Sequence, residues 1–461
     1  MNSVSHNYAD EKCFYNTINH FFKRFKFYQS LLKANAYKQK GVPVIEVFQY
    51  LFQLVFSNRS MYMDLLGGKS NVAFKKDTVY RFLNSIYINW QTFLLSLSSN
   101  VINKHFNDLT SDDRINVFIV DDTFFGRIKS KSVEMLSIVH DHADGKYKKG
   151  FRLLTLGWSD GNSFMPLIFR HLASSNIKKH LCSMKENINK ATNGFKRRMQ
   201  AITKAPDVMV QMLAQAIKQK IPAKHVLFDS WFSAPSTIIK VINLKLHVVS
   251  RLKNTPKIFY IFNGKRMKLK DIYDSQKKRR GRSKYLLSVT AKIYNKENET
   301  HDVRIVFVRD RNNRKKWIAI ISTDLDLSEE QIIQTYGKRW DIEVFFKMCK
   351  SYLSLAKEFQ GLSYDMITAH TAVVYSRYIL LSVENRNSKD VRTLGELFFI
   401  FFDEIRDIQF ADALQLILEL ITETLQECLF LDKKQINEFL DVFMAKIPQY
   451  IKSRLEQQEI A

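Results

Sequence analysis

Apolar residues along this chain change their spacing twice, near residue 110 and near residue 384. Before the first change they recur at helical intervals. Val44 to Phe56 (V-I-E-V-F-Q-Y-L-F-Q-L-V-F) is apolar nearly all round and predicts a buried helix. A second helix is predicted around Lys75–Ser85, with Val79, Phe82, Leu83 and Ile86 on one face and Lys75, Lys76, Arg81 and Asn84 on another. A short basic helix behind a buried one suits DNA docking, and suits a solvated amphipathic helix equally well.

From Asn116 the spacing turns strand-like. Val117-Phe118-Ile119-Val120 runs into Asp121-Asp122-Thr123. Met135–His142, Phe151–Trp158 and Ser163–Phe169 follow, separated by Asp144-Gly145 and Asp160-Gly161 turns, which predicts an antiparallel meander. A lysine-rich segment, Lys178 to Lys204, and a predicted helix, Asp207 to Gln219, lead to His225-Val226-Leu227-Phe228-Asp229. A short apolar run reached through a helix reads as a parallel, buried strand. Leu246–Arg251 is another strand, and Lys253–Arg314 is basic and strand-rich. Trp317–Ser322 returns to core-strand character, and Ser328 with Gln331 predicts a capping box. Past residue 384 helical spacing resumes, with Leu414, Ile417, Ile421 and Leu425 in one stripe and Ile436, Phe439, Leu440 and Phe443 in another.

The capped helix carries the chain's most informative residues. Tyr336, Arg339, Glu343 and Lys350 lie at offsets 0, 3, 7 and 14. At about 100° per residue they share a stripe about 60° wide. Ile333, Trp340, Val344 and Met348 occupy the neighbouring sector, which would seat the helix on a core. A carboxylate flanked by a phenol, a guanidinium and an ammonium suits a metal-bound phosphodiester, and is equally an ordinary solvated face.

Charge narrows the choice. Lys and Arg number 71 against 46 Asp and Glu, a formal net charge of +25. An excess spread along a folded chain points to a polyanion, with nucleic acid first. No uncharged apolar run approaches a membrane span, and no signal peptide opens the chain, so a cytoplasmic location without membrane partners is expected. Four scattered cysteines form no C-x-x-C pair. His140-Asp141-His142 with Asp144 has the residue types of a metal cluster but runs into a turn, and reads as structural.

With those residues on the page, the chain resembles the DDE transposases of bacterial cut-and-paste insertion sequences, and most closely insertion-sequence family four. That family carries Y-x2-R-x3-E-x6-K, which Tyr336, Arg339, Glu343 and Lys350 fit at every position. D-D-T at 121–123 resembles its first-aspartate strand, and F-D-S-W-F at 228–232 its second. The resemblance covers roughly residues 112 to 380. It implies an α/β fold: a ribonuclease H-like mixed five-stranded sheet flanked by helices, with a β-rich insertion and helical terminal regions. The expected division is a helical DNA-binding region to residue 110, a core over 111–252 and 315–383, the insertion over 253–314, and helices over 384–461 that help dimerise.

The resemblance also implies a chemistry. Two Mg²⁺ ions, with Mn²⁺ as the alternative, are held by clustered carboxylates. Asp122, Asp229 and Glu343 are assigned as ligands and catalytic residues. Successive strand residues face opposite ways, so only one of Asp121 and Asp122 can face the site directly. The family's aspartate precedes a threonine, which favours Asp122 and leaves Asp121 as the alternate. Tyr336, Arg339 and Lys350 are implied to bind phosphates. Lys75, Lys76 and Arg81, and Lys277, Lys278, Arg279, Arg280 and Arg282, are candidate DNA contacts. The partners are double-stranded DNA, as terminal inverted repeats and target, and a second copy of the chain. A structure-specific nuclease of the same fold, and a non-catalytic DNA-binding regulator, are the alternatives.

Overall fold

The computed structural model describes residues 13–56, 60–67, 72–110, 114–141, 144–279, 283–310, 313, 316–387, 421 and 433–446. Its centre is β1 (Val117–Gly126), whose first four residues are fully buried. β2 (Ser137–Asp141), β3 (Lys146–Ser159) and β4 (Phe164–Leu172) form the expected antiparallel meander. β3 pairs with β1 on one edge and, end to end, with β2 and β4 on the other. The two D-G turns close as Gly145 (φ +70°) and Gly161 (φ +89°) enter the left-handed region that side chains resist.

β5 (His225–Phe228) is buried throughout and runs parallel to β1, and β6 (His247–Arg251) runs parallel to β5. The β-rich stretch contributes β7 (Phe259–Phe262), β8 (Lys265–Lys268), β9 (Leu287–Tyr294) and β10 (Thr300–Arg309). β11 (Trp317–Ser322) pairs antiparallel with both β6 and β10. The order across the sheet is β2-β3-β1-β5-β6-β11-β10-β9-β7-β8, with β4 beside β3. Its centre, β4-β3-β1-β5-β6, is the mixed five-stranded ribonuclease H-like arrangement. The β-rich stretch extends this same sheet through β11.

Helices cover both faces. The Trp340–Ser351 helix packs on β1 and the Tyr364–Asn387 helix on β4. The buried Thr155 hydroxyl of β3, paired with Asp121, meets Tyr375 of the latter helix at 2.7 Å. The Ala205–Lys218 helix packs on β3 and β4, where Arg170 of β4 reaches Gln215. Arg170 pairs with Leu154 and Leu154 with Asp122, so this second helix lies on Asp122's face of the sheet.

The N-terminal helices join the same core. Val44–Gln53 buries Val47, Phe48, Leu51 and Phe52, and Lys76–Leu83 buries Val79, Phe82 and Leu83. Ser98 donates to the Pro166 carbonyl at 2.6 Å, and the Phe106 ring stacks on Trp158. Arg377 donates to the Leu51 and Phe52 carbonyls at the end of the Val44–Gln53 helix while pairing with Glu358. These carbonyls have no partner within their own helix, so the arginine satisfies groups that burial would otherwise strand.

Two expectations are corrected here. The helix carrying the Y-x2-R-x3-E-x6-K residues is not continuous: Glu329–Gly337 ends and Trp340–Ser351 begins after a break at Lys338 and Arg339. Gly337, a weak helix former, precedes the break, and the turn tightens to i→i+3 bonds from Lys338 to Thr335 and from Arg339 to Tyr336. Lys338 pins it by donating to the Ile115 carbonyl at 2.6 Å. The break resets the helical phase, so Trp340 (62% exposed) and Val344 (47%) face outward, and Ile332, Ile342, Phe345, Met348 and Cys349 form the seat. The Ser328–Gln331 capping box is present. Leu414, Ile417 and Leu425 lie outside the described residues. In the second C-terminal stripe, Ile436 is buried and Phe439 exposed. No described helix is long and apolar enough to cross a membrane.

Candidate active site

β5 is short and β1 is long, and this difference makes the site. The two strands pair only from Val117–His225 to Ile119–Leu227. Beyond that point β5 turns away at Asp229 while β1 continues, and a cleft of about 1490 Å³ opens beside it. Asp121 lies on the face that the Trp340–Ser351 helix covers, and Asp229 is near enough for its charge to act on the Asp121 carboxyl. Clefts at the carboxyl ends of parallel strands are where α/β sheets bind ligands.

The pair at 121–122 divides between the faces, opposite to the orientation expected. Asp121 Oδ2 accepts from Arg339 Nη1 at 2.9 Å, and its Oδ1 accepts from the Asp122 backbone N–H at 2.8 Å. Asp122 points to the other face and pairs with Arg152 of β3. Strand alternation decides this: Asp122 shares its side of β1 with Phe124, the register partner of Arg152. Burial pushes the Asp121 carboxyl up to about 7, against the opposing pull of Arg339 and with added repulsion from Asp122 and Asp229. Crowded carboxylates of this kind are the donor set that hard divalent cations take.

Across the cleft, Arg339 also donates to Glu343, so its guanidinium lies between two carboxylates brought from 218 residues apart and from one helical turn away. Burial works to lower its pKa, and Tyr336, Asp121 and Glu343 outweigh that and hold it charged. Its Nε, also buried, has no hydrogen-bond partner. The Arg339 guanidinium lies 5.9 Å from the Tyr336 ring centre, and burial raises the Tyr336 phenol. Lys350 donates to Thr123 Oγ1 at 2.6 Å, with its pKa lowered by burial and supported by Asp141. Despite the broken helix, Arg339, Glu343 and Lys350 thus meet the β1 segment Asp121–Thr123 at one cleft, which Asp229 also lines.

A family model described as DDE superfamily endonuclease matches residues 50–315, more than half of the chain. The chain belongs to this family of DDE endonucleases. The match takes in both aspartate motifs and ends before Tyr336. No curated protein matches the chain.

In this DDE endonuclease the cleft is rich in cations. Lys179, Lys204, Lys253 and Lys347 line it, with Tyr147 and Trp231 as exposed rings. Trp231 is cradled by Arg152, 5.2 Å from the ring centre, and by Lys253 at 5.8 Å. Arg152 carries no local sequence signal, whereas Trp231 sits inside F-D-S-W-F, where an exposed aromatic two residues after an aspartate could have been singled out.

The other candidates stand apart from the carboxylates. Lys75 and Arg81 are exposed, Lys76 rests over the Tyr62 ring, and none of the three lines the cleft. Lys277 is exposed, Lys278 lies over Tyr273, and Arg279 over Tyr285. Arg280 and Arg282 lie outside the described residues. Asp141 and Asp144 both pair with Lys148, which answers the apparent metal cluster, and His142 is outside the described residues. Among the described residues no three His, Cys, Asp or Glu side chains are grouped closely enough to hold a metal ion as they stand. At the cleft it is Arg339, between Asp121 and Glu343, that keeps those two carboxylates on its own nitrogens.

Proposed function

We propose that this DDE endonuclease is a DNA transposase that cuts the ends of an insertion sequence and joins them to target DNA. The observation that supports the reading is that Asp121, Asp229 and Glu343 line one basic cleft with Arg339 and Lys350. Asp121 replaces Asp122 as the first carboxylate, because Asp121 is the one turned toward Arg339 and subject to the charge of Asp229.

Members of the DDE superfamily generally use divalent metal ions, and the donors here suit hard cations. Asp121, Asp229 and Glu343 would hold Mg²⁺ or Mn²⁺. Bound there, such ions supply positive charge to the phosphoryl oxygens and a nucleophilic oxygen at neutral pH. The remaining work falls to this chain's own cations. Arg339, with a planar guanidinium, suits a phosphate oxygen, and Lys350 offers a point charge beside Thr123. Lys204, Lys253 and Lys347 extend the positive field along the strand's path.

The N-terminal helices with Lys75, Lys76 and Arg81 are assigned to end recognition, and the basic insertion to further backbone contact. Two copies would act together. Phe439 and Val442 of the Lys433–Lys446 helix stand 41% and 55% exposed, which supports pairing there. The test is cleavage and strand transfer on DNA carrying the element's ends. Wild type should nick and join with Mg²⁺, and Asp229→Ala should bind ends without nicking. Nicking without joining would favour the structure-specific nuclease; undiminished nicking by Asp229→Ala would refute the assignment.

A further inference from the structure

We infer that Asp122 and Arg152 are positioning residues that fix the turn carrying Asp229. The inference rests on the assignment of Asp229 to the site, and it gives Asp122 a role different from the one its sequence suggests. After Phe228 the Asp229 turn has no ladder bonds to β1, whose pairing with β5 has already ended at Ile119 and Leu227, while the ladder to β6 ends at Phe228 and Ser250. Its own bonds are local: the Trp231 backbone N–H donates to Asp229 Oδ1 at 2.8 Å, and the Phe232 N–H to the Asp229 carbonyl at 3.2 Å. Phe232, buried against Phe228, anchors the far end of the turn in the core, and the Asp229–Trp231 end needs a contact of its own across to β1.

The contact that reaches across is a chain of three side chains. The Asp122 carboxylate pairs with Arg152, and the two side chains are 7% and 17% exposed. The Arg152 guanidinium lies over the Trp231 indole at 5.2 Å. The Trp231 backbone in turn holds an oxygen of Asp229. Trp231 is itself 49% exposed, so burial alone does not hold its ring there, and the planar cation against its face contributes. Lys253 approaches the ring too, but from an exposed site, whereas Arg152 is anchored by its pair with Asp122. Asp122 anchors Arg152, Arg152 keeps the indole in place, and the Trp231 backbone N–H sets the Asp229 rotamer. The two neighbouring aspartates therefore serve one site from opposite faces, Asp121 by facing it and Asp122 by holding its far wall.

The test uses the full-length protein with Asp122→Asn, Arg152→Ala, Arg152→Lys and the double variant Asp122→Asn/Arg152→Ala. Trp231 is followed by near-ultraviolet circular dichroism, as the difference between each protein and its Trp231→Phe counterpart. Mn²⁺ affinity is measured by electron paramagnetic resonance without DNA, and nicking is measured across a Mn²⁺ series. Asp122→Asn and Arg152→Ala should each diminish the Trp231 signal and weaken Mn²⁺ binding about tenfold, with nicking at saturating Mn²⁺ within about threefold of wild type. Arg152→Lys should recover most of the affinity, and the double variant should be no worse than either single one. Nicking by Asp122→Asn that is lost at every Mn²⁺ concentration would overturn the inference, because Asp122 would then be a ligand. An unchanged Trp231 signal and unchanged affinity in Arg152→Ala would overturn it too, leaving an ordinary ion pair. Failure of the underlying functional reading looks different: wild type would then neither bind Mn²⁺ nor nick.

Discussion

Two arginines in this molecule each hold two carboxylates, and they do so in opposite surroundings. Arg198 is fully buried and binds Glu134 through Nε and Nη2 and Asp365 through Nη1 and Nη2, with a further bond to the Gly194 carbonyl. Glu134 also accepts the Lys185 and Tyr364 backbone N–H groups. Arg339 makes one bond to Asp121 and one to Glu343, leaves Nε without a partner, and opens on a cleft where Glu343 is 34% exposed. The first cluster has little bonding capacity left, so it can only hold the loop before β2, the Asn193–Ala201 helix and the Tyr364–Asn387 helix together. The second keeps carboxylate lone pairs in reserve on the cleft side. Saturation marks scaffold, and an unfinished network marks a place where something else is to be bound.

The largest effect should come from the saturated cluster. Arg198→Ala leaves Glu134 buried without a cation and Asp365 with Arg197 alone, and should cost about 3–5 kcal/mol of stability. Urea unfolding measures this, and a loss below about 1 kcal/mol would erase the contrast drawn here. Next comes Asp121→Asn, which should cut nicking by more than about a hundredfold while stability stays level or rises, since a crowded buried charge is removed. A loss of nicking that simply tracked unfolding would make the two clusters alike.

Arg339→Ala should separate its two anions. Without DNA, Mn²⁺ should bind more tightly, because the competing guanidinium is gone. DNA should bind more weakly, with the salt dependence of its affinity reduced by about one phosphate contact. The smallest effect is in pH. Asp121 titrates near 7 in the folded protein, above its unfolded value of 3.8. The native state therefore holds the extra proton between those values, and metal-free stability contributed by this group is present below about 4 and declines as pH rises toward 7. Asp121→Asn should flatten that slope in thermal melts taken across the range.

Much of this architecture is legible in the sequence, and the limits have physical causes. The strands around β1, the buried β5, both D-G turns and the Ser328–Gln331 cap all follow from local pattern, because each is decided within a few residues. The Tyr336–Lys350 stripe is legible as chemistry yet misleading as a straight helix. A single glycine followed by a lysine anchored on Ile115 breaks it, and spacing alone gives no sign of that anchor. The choice between Asp121 and Asp122 hangs on strand register and on Arg152 and Arg339, which lie 30 and more than 200 residues away. Alternation says that one must face away, and only the partners say which.

The sheet passes without interruption from the carboxylate strands through β6 and β11 into the basic outer strands. An appended module could swing on a linker; here a shared ladder of backbone bonds makes arm and blade one stiff piece. A duplex pressing on the outer strands would strain the same hydrogen bonds that flank Asp229. Among the described residues that seam is backbone ladder on both sides of β11, so a load on the outer strands would pass into β6.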